Sequence, residues 1–267
     1  FQLPSVGPGR VLSDIIDSDT IKVFSLTQIF RQAEESPIVH YAHCIRNDEK
    51  PDFKNPAPGE LSEFYFIEKG SPEKIVETVV DLCSKRIPAA FPHIDEIQVL
   101  TPMHRGENGT INMNRRLQSI LNPGEGGIES RGILFKTGDK VMHLKNNYEK
   151  DVFNGDIGII EESIKSEGRV LVNYDGRIVE YELPDLDELS LAYAISVHKS
   201  QGSEYSAVVI ILTPAHRPLL QRNLLYTALT RGKQLVIIVG SSKALEIALE
   251  NRRTTLRRTS LKEKLRN

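Results

Sequence analysis

The sequence is poor in several features that mark particular classes of protein. It has two cysteines, Cys44 and Cys83, in 267 residues. That is too few for a disulfide framework and favours a reducing, cytoplasmic setting. No apolar run approaches the roughly 20 residues that a membrane-spanning helix needs, and no signal peptide is visible. The formal net charge is −2, so any nucleic-acid-binding surface must be a local one.

Patterns for several kinds of catalytic or metal site are also missing. There is no G-x-S-x-G segment, the turn that presents a nucleophilic serine in α/β-hydrolases. His40, His43 and Cys44 lie close together, but no second pair has the spacing of zinc ligands. We therefore expect no metal centre. The chain begins at Phe1 rather than at Met, which indicates a segment of a longer protein.

What is present is an alternation of buried strands and amphipathic helices. Short apolar runs rich in β-branched residues, typical of strands in a parallel sheet, occur at residues 97–100, 207–212 and 235–239. Helices are predicted at residues 72–83, 112–121 and 219–230. Ser71 can cap the first of these, and Pro72 suits its first turn. This order predicts an α/β layered domain.

Residues 135–185 have a different pattern. Short alternating runs are separated by turn signals such as Asn154-Gly155-Asp156 and Asp175-Gly176, and the latter is typical of a hairpin. We predict a small antiparallel β-barrel here, inserted into an α/β domain that comprises residues 1–134 and 186–267. The last residues form a basic tail. A solvated or frayed terminal helix is its simpler interpretation, and a nucleic-acid contact is the alternative.

A polar loop follows an apolar run within residues 191–205. It places small hydroxyls, an amide, a lysine and a glycine at a strand end, where open α/β sheets bind ligands. Ser200, Ser203 and backbone N–H groups can bond phosphate oxygens, and Lys199 can supply charge. An ordinary connecting loop is the alternative, and these residues alone do not decide between the two.

This loop carries the most specific resemblance in the chain. Residues 194–202 match, at every position, the A-[IV]-[TS]-[VI]-H-K-[SA]-Q-G pattern. This segment resembles motif V of superfamily 1 helicases, in the form found in RecD-like enzymes, where it touches single-stranded DNA and the nucleotide. The resemblance implies DNA contacts for His198, Lys199, Ser200, Gln201 and Ser203, and nucleotide contacts for Gly202 and Glu204.

A second segment, residues 223–233, ends a predicted helix at Thr230-Arg231-Gly232. Taken by itself, Arg231 is best interpreted as a helix-terminal arginine followed by a capping glycine. The segment, however, resembles motif VI of the same family. By that resemblance Arg231 is an arginine finger for the γ-phosphate on a neighbouring domain, a role typically worth about 10³–10⁵ in rate. We therefore expect Arg231 and the turn at residues 198–204 to face a common crevice.

Two segments near the N-terminus resemble further motifs of the family. The run from Gln2 to Gly9 resembles motif III of RecD enzymes, in which Gln2 would sense the γ-phosphate. Residues 26–33 resemble motif IV, in which Arg31 would be a second γ-phosphate ligand. A surface salt bridge is the alternative for Arg31, but the presence of the other motifs in family order argues against it.

Two further resemblances suggest a path for DNA. Residues 99–106 resemble a V-L-[TA]-P-M-x-x-G segment, in which Thr101 or Arg105 would contact the DNA backbone, although a polar turn explains them equally well. The predicted barrel resembles the SH3-like subdomain of RecD-type helicases. Side chains that would line a single-strand path there are Asn146, Asn147, Tyr148 and Lys150. Tyr148 would stack on a base, and a packed aromatic in a hairpin is the equally weighted alternative.

The chain lacks the G-x-x-x-x-G-K-[ST] phosphate loop and a strand-end acid for magnesium. The resemblance places these in a first RecA-like domain, N-terminal to motif III. It implies that this chain is a second RecA-like (P-loop NTPase-type) parallel-sheet domain with an inserted SH3-like barrel, the C-terminal motor half of an ATP-dependent 5′–3′ DNA helicase. ATP and Mg²⁺ would be bound mainly by the N-terminal RecA-like domain, and this chain alone would not hydrolyse ATP.

The mechanism that the resemblance implies is inchworm translocation along single-stranded DNA. Arg231 and Arg31 would engage the γ-phosphate as the two motor domains close, and closure would shift the grip on the strand. Two other functions stay open. One is a non-catalytic single-stranded DNA-binding module. The other is a subunit of a RecBCD-like recombination and repair complex, in which a partner would supply any nuclease because no acidic nuclease cluster appears here.

Overall fold

In the computed structural model, which describes residues 2–4, 9–24, 36–251 and 259–266, the fold is organised around a five-stranded parallel sheet. In chain order the strands are β1 (Phe64–Glu68), β2 (Ile97–Thr101), β3 (Ile128–Ser130), β4 (Ile133–Phe135), β5 (Lys140–His143), β6 (Ile157–Ile164), β7 (Arg169–Tyr174), β8 (Arg177–Glu182), β9 (Leu189–Leu191), β10 (Ala194–Ser196), β11 (Tyr205–Leu212) and β12 (Gly232–Gly240). The parallel sheet has the order β1-β12-β11-β2-β10. The predicted α/β domain is therefore confirmed.

The described helices are α1 (Val11–Asp17), α2 (Pro37–Arg46), α3 (Pro72–Asp81), α4 (Ile87–Ala90), α5 (Thr110–Leu121), α6 (Arg222–Leu229), α7 (Ser242–Glu250) and α8 (Leu261–Arg266). Helices α2, α6 and α7 pack on one face of the sheet, and α3 and α5 pack on the other. A π turn, Leu82–Arg86, joins α3 to α4. As predicted, the Ser71 hydroxyl caps α3 by accepting from the Lys74 N–H. None of the described helices has both the length and the apolar content that crossing a membrane requires.

The central strand β11 shows why these sequences form buried parallel strands. Successive side chains of a strand point to opposite faces. Val208, Ile210 and Leu212 accordingly join one buried cluster together with residues of α2, α6 and α7. Ala207, Val209 and Ile211 join a second cluster together with residues of α3 and α5. Both faces of β11 are covered, and this accounts for its continuous apolar sequence.

A second, antiparallel sheet is inserted between β2 and β10. Its strand order is β8-β7-β6-β5-β9, and we call it the inserted sheet. The predicted hairpin at Asp175-Gly176 is present, and both residues have the positive φ that a tight two-residue turn requires, 51° and 94°. The buried core of the inserted sheet extends to Ile128 and Leu191, beyond the predicted limits of 135 and 185. Those limits stay a prediction.

A buried carboxylate fastens the inserted sheet to the parallel-sheet domain. Asp139 lies just before β5, and its side chain is fully buried. Its Oδ2 accepts from Gln118 Nε2 at 2.6 Å and from the Lys136 N–H at 2.7 Å, while its Oδ1 accepts from Asn122 Nδ2 at 2.7 Å and from Tyr193 Oη at 2.9 Å. Gln118 lies in the last turn of α5, and Asn122 directly follows that helix. The junction is therefore held by hydrogen bonds from both parts of the chain.

Part of the basic tail has a structural role. Arg266 donates to the backbone carbonyls of Asp17 at 2.9 Å and Ser18 at 3.1 Å, so its guanidinium caps the C-terminal end of α1. The Thr259 hydroxyl donates to Asp14 Oδ2 at 2.7 Å. Residues 252–258, which include four of the arginines of the tail, lie outside the described residues.

Candidate nucleic-acid and nucleotide site

Two loops leave the same edge of the parallel sheet. Strands β2 and β10 are parallel neighbours, and Ser196 lies opposite Thr101 at their carboxyl ends. The loops after them, residues 102–109 and 197–204, therefore start side by side, at the edge where ligands bind in open α/β sheets. His104 on the first loop and His198 on the second are both exposed. They lie close enough that His104 lowers the pKa of His198.

The loop at residues 197–204, which we call the cleft loop, is held by bonds within itself. The Lys199 and Ser200 N–H groups donate to the Ser196 carbonyl at 2.9 and 3.2 Å, and the Ser203 N–H donates to the Ser200 carbonyl at 3.2 Å. Gly202 has a φ of +90°, which favours glycine at this position. The loop connects the carboxyl end of β10 to the amino end of β11. Because both strands run parallel to β2, the loop passes from the side of the sheet where the strands end to the side where they begin.

The cleft loop forms one wall of a cleft of about 640 Å³, and the inserted sheet contributes to the opposite wall. Polar groups lining this cleft are His104, Asn154, Asp156, His198, Lys199, Gln201 and Ser203. Lys199 Nζ donates to Asn154 Oδ1 across the cleft. Asp156, the carboxylate in this lining, accepts from the Phe153 N–H at 2.8 Å. The cleft thus offers cationic and donor groups suited to a phosphate backbone.

Reduced solvation changes the acid–base properties of this cleft. Although His198 is exposed at the surface, neighbouring protein atoms partly desolvate its ring and lower its pKa below the usual value near 6.5, and the nearby His104 lowers it further. Burial also lowers the pKa of Lys199. Both groups are less well solvated in their charged forms than they would be in water. A phosphate placed between them would favour the protonated forms and raise both pKa values.

This arrangement predicts that single-stranded DNA binding strengthens as the pH falls. The pKa of His198 is lower in the free protein than we expect it to be in the complex. At pH values between these two pKa values, binding of DNA is therefore accompanied by uptake of a proton. We expect affinity for oligothymidylate to rise about threefold to tenfold from pH 8 to pH 6. Fluorescence anisotropy titrations would measure this. The double variant His104→Ala/His198→Ala should lose most of the slope, and an unchanged slope would contradict the prediction.

Several residues predicted to contact DNA do line or flank the cleft. Lys199, Gln201 and Ser203 are half-buried in its wall, and His198 and Arg105 are exposed. For Thr101 and Ser200, contact with DNA stays a prediction, and both side chains are fully buried in this structure. Thr101 Oγ1 donates to the Asn108 carbonyl at 2.7 Å, and Ser200 Oγ donates to the Val197 carbonyl at 2.8 Å. Each hydroxyl thus bonds a carbonyl of its own loop.

Arg231 lies beside the cleft loop, as expected, but its guanidinium does not project into an open crevice. The residue is only 5% exposed. Nη1 donates to the Ser203 carbonyl at 2.7 Å, Nε donates to the Thr227 carbonyl at 3.2 Å, and Nη2 contacts Thr230 Oγ1 at 3.2 Å. The expectation that Arg231 and the turn at residues 198–204 face a common crevice is therefore not met in this structure, because Arg231 is buried and does not line the cleft. Gly232 does not cap the helix either, because it is the first residue of β12.

The other residues predicted to contact nucleotide are exposed or lie outside the described residues. Gln2, Gly202 and Glu204 are exposed. The Glu204 carboxylate lies 3.7 Å from Lys233 Nζ, an exposed ion pair. Arg31, with the rest of the motif IV segment, lies outside the described residues.

On the inserted sheet, the residues proposed for a single-strand path divide into two groups. Asn147 and Lys150 are used internally: Asn147 Nδ2 donates to Glu188 at 3.3 Å, and Lys150 Nζ donates to Asp185 at 2.6 Å. Tyr148 is 78% exposed, so it is not the packed aromatic of the alternative interpretation. Its ring centroid lies 5.9 Å from that of Phe153.

Sequence reasoning missed His104, Asn154 and Phe153 as candidate contacts. Asn154 bonds Lys199 across the cleft, and Phe153 precedes it in the chain. The turn signal at Asn154-Gly155-Asp156 was visible in the sequence, but nothing local to it indicates that this turn faces the cleft loop. Among the described residues, no group of three or more His, Cys, Asp or Glu side chains could hold a metal ion.

Two family models match the chain. The model described as "ATP-dependent RecD-like DNA helicase SH3 domain" matches residues 113–174, which include much of the inserted sheet. The model described as "UvrD-like helicase C-terminal domain" matches residues 191–239, which include the cleft loop and Arg231. The predicted SH3-like insertion is therefore confirmed.

Two curated proteins match nearly the whole chain. The sequence is 38% identical over 267 residues to the "ATP-dependent RecD2 DNA helicase" of Deinococcus radiodurans, covering 99% of this chain and 35% of that protein. It is 26% identical over 262 residues to the "RecBCD enzyme subunit RecD" of Mycobacterium tuberculosis, covering 94% of this chain and 45% of that protein. The chain thus spans less than half the length of these relatives.

A solved structure supports the fold. The crystal structure of Pif1 helicase from Bacteroides in complex with ADP-AlF3 and ssDNA matches with a TM-score of 0.51 at 18% identity, covering 90% of this chain and 60% of that chain. At this identity the likeness shows the fold alone, and that fold is the predicted RecA-like helicase domain. By its two matching domain models and its sequence relatives, the chain is similar to RecD-like DNA helicases over less than half of their length.

Proposed function

We propose that this chain is the C-terminal motor half of an ATP-dependent DNA helicase that moves 5′ to 3′ along single-stranded DNA. The observation that carries the proposal is the cleft lined by His104, His198 and Lys199, whose loop also bonds Arg231 through the Ser203 carbonyl. A site for a phosphate backbone and an arginine suited to a nucleotide therefore share one loop. The names of the relatives, a DNA helicase and a RecD subunit, support the same assignment.

In this proposal the nucleotide is bound between this chain and a preceding RecA-like domain. The chain lacks the phosphate-binding loop, so ATP and Mg²⁺ are assigned mainly to that domain. Arg231 stabilises charge on the transferred phosphoryl group, after its guanidinium leaves the Ser203 carbonyl. Gln2, Glu204 and Arg31 are proposed as further nucleotide contacts. Closure of the two domains changes the grip of the cleft loop on the strand.

The proposal is tested by assaying this chain alone. We expect no ATP hydrolysis above background and weak, salt-sensitive binding of oligothymidylate, with a log–log slope of about −0.7 for each phosphate neutralised. Lys199→Ala should make that slope shallower by about 0.7. Absence of single-strand binding at low salt, or ATP turnover by the isolated chain, would sink the proposal.

The exposed rings of Tyr148 and Phe153 suggest where bases would lie. Tyr148→Ala should lower affinity for oligothymidylate about tenfold, because stacking of one base on an aromatic ring is typically worth about 1–3 kcal/mol. Tyr148→Phe keeps the ring and should bind like the wild type. Because Tyr148 is 78% exposed, neither change should alter the unfolding midpoint. Wild-type affinity in Tyr148→Ala would remove this ring from the DNA path.

A second candidate function is a subunit of a RecBCD-like recombination complex. The 26% identity to a protein named "RecBCD enzyme subunit RecD" favours it, although the 38% identity to the protein named "ATP-dependent RecD2 DNA helicase" is higher. Purification of the full-length protein under native conditions distinguishes the two. Stoichiometric co-purification of partner subunits would support the complex, and an active single polypeptide would support an independent motor.

A further inference from the structure

A chain of hydrogen bonds connects the cleft loop to the N-terminal segment and to α6. Gln201, in the wall of the cleft, donates through Nε2 to the Leu3 carbonyl at 2.7 Å. The Leu3 N–H donates to Thr227 Oγ1 at 2.9 Å. Thr227 Oγ1 in turn donates to the Asn223 carbonyl at 2.7 Å, so the single hydroxyl proton is directed along the helix and a lone pair faces Leu3.

A second set of bonds returns from α6 to the same loop. The Thr227 carbonyl accepts from Arg231 Nε at 3.2 Å, and Arg231 Nη1 donates to the Ser203 carbonyl at 2.7 Å. Ser203 is two residues from Gln201, so the bonds form a closed ring. Thr227 belongs to both halves of it, through its hydroxyl and through its carbonyl. Its side chain is fully buried, so water does not compete for these positions.

We propose that Thr227 is a positioning residue that holds the segment around Leu3 and the Arg231 guanidinium in register with the cleft loop, so that filling the cleft with single-stranded DNA releases Arg231 from Ser203. This inference rests on the proposed function of the cleft. A strand backbone in the cleft presents phosphate oxygens to Gln201 and to the Ser203 turn, the two points at which the ring meets the loop. A shift of the Ser203 turn would directly lengthen or break the hydrogen bond from Arg231 to the Ser203 carbonyl.

The opposite end of α6 provides an internal control. Arg222 is as buried as Arg231, at 5% exposed. Its Nη1 donates to Asp48 Oδ1 at 3.0 Å, and its Nη2 donates to the Glu49 carbonyl. The two arginines thus lie at the two ends of α6 and both are held by their Nη atoms, but the bonds of Arg222 do not involve the cleft loop. Filling the cleft should free Arg231 and leave Arg222 unchanged.

The test measures rotation of the two guanidinium groups about the Nε–Cζ bond by ¹⁵N NMR on the full chain, with and without saturating oligothymidylate. Loss of the bond to Ser203 should speed rotation in Arg231 about fivefold or more, and Arg222 should not respond. Thr227→Ser, which keeps the hydroxyl, should behave like the wild type. Thr227→Val has the same shape without the hydroxyl, and in it the DNA-dependent change should be much smaller.

Anisotropy on the same samples separates this inference from the proposed function. Absence of oligothymidylate binding would sink both together. Binding with no change at Arg231 in the wild type, a measurement that needs no variant, would overturn the inference and leave the cleft assignment standing. A full wild-type response in folded Thr227→Val would also overturn it.

Discussion

Full-length protein carrying Arg231→Ala should hydrolyse ATP about 1000-fold more slowly than the wild type, while its affinity for single-stranded DNA stays within about threefold. An arginine that stabilises the transferred phosphoryl group acts on turnover and contributes little to binding of the strand. Steady-state ATPase assays at saturating DNA, with anisotropy for binding, would measure both effects. Near-normal turnover in Arg231→Ala would refute the assignment.

Two controls separate this role from a structural one. Removing Arg231 also deprives the Ser203 and Thr227 carbonyls of a donor. We therefore expect the variant to have a lower free energy of unfolding than the wild type. Arg222→Ala removes an equally buried arginine at the opposite end of α6. It should destabilise the fold comparably, yet turn over ATP normally at temperatures where it remains folded. Arg231→Lys keeps the charge but not the planar fork and should recover only part of the rate.

Asp139→Ala should lower the free energy of unfolding by about 3 kcal/mol or more, because each buried donor left unsatisfied costs about 1–3 kcal/mol. Four donors lose their acceptor in this variant: Gln118, Asn122, Lys136 and Tyr193. Urea denaturation followed by circular dichroism would measure the loss.

Asp139→Asn is the matched variant, since it has the same shape. The amide oxygen takes the place of one carboxylate oxygen and keeps its two hydrogen bonds, but the NH₂ group takes the place of the other oxygen and faces two donors. We therefore expect the free energy of unfolding to fall by roughly half as much as in Asp139→Ala. Equal stability of Asp139→Ala and the wild type would show that the junction does not depend on this carboxylate.

Much of the fold follows from patterns that are local in the sequence. The continuous apolar run of β11 predicts a strand covered on both faces, and Asp175-Gly176 predicts a tight hairpin, because each depends on a few adjacent residues. The meeting of His104 with His198 is different. It depends on β2 and β10 being neighbours in the sheet, and no local pattern contains that strand order.

The direction in which a side chain points was the second feature of the candidate site that the sequence could not predict. A hydroxyl such as that of Thr101 or Ser200 can face solvent or bond a carbonyl of its own loop, and the sequence does not distinguish these outcomes. Arg231 poses the same question with a longer side chain. The resemblance identified its position on the helix, but the Ser203 carbonyl that holds it comes from another part of the chain.

The anchoring of Asp139 from both sides has a consequence for how a strand is accommodated. Bonds from α5 and from the residue preceding β10 leave little freedom for the inserted sheet to swing relative to its neighbour. The gap between the two walls then has a set width. If the cleft binds single-stranded DNA as proposed, we expect adjustment to purines and pyrimidines, which differ in size, to come from rotation of side chains such as Lys199 rather than from a hinge between the walls.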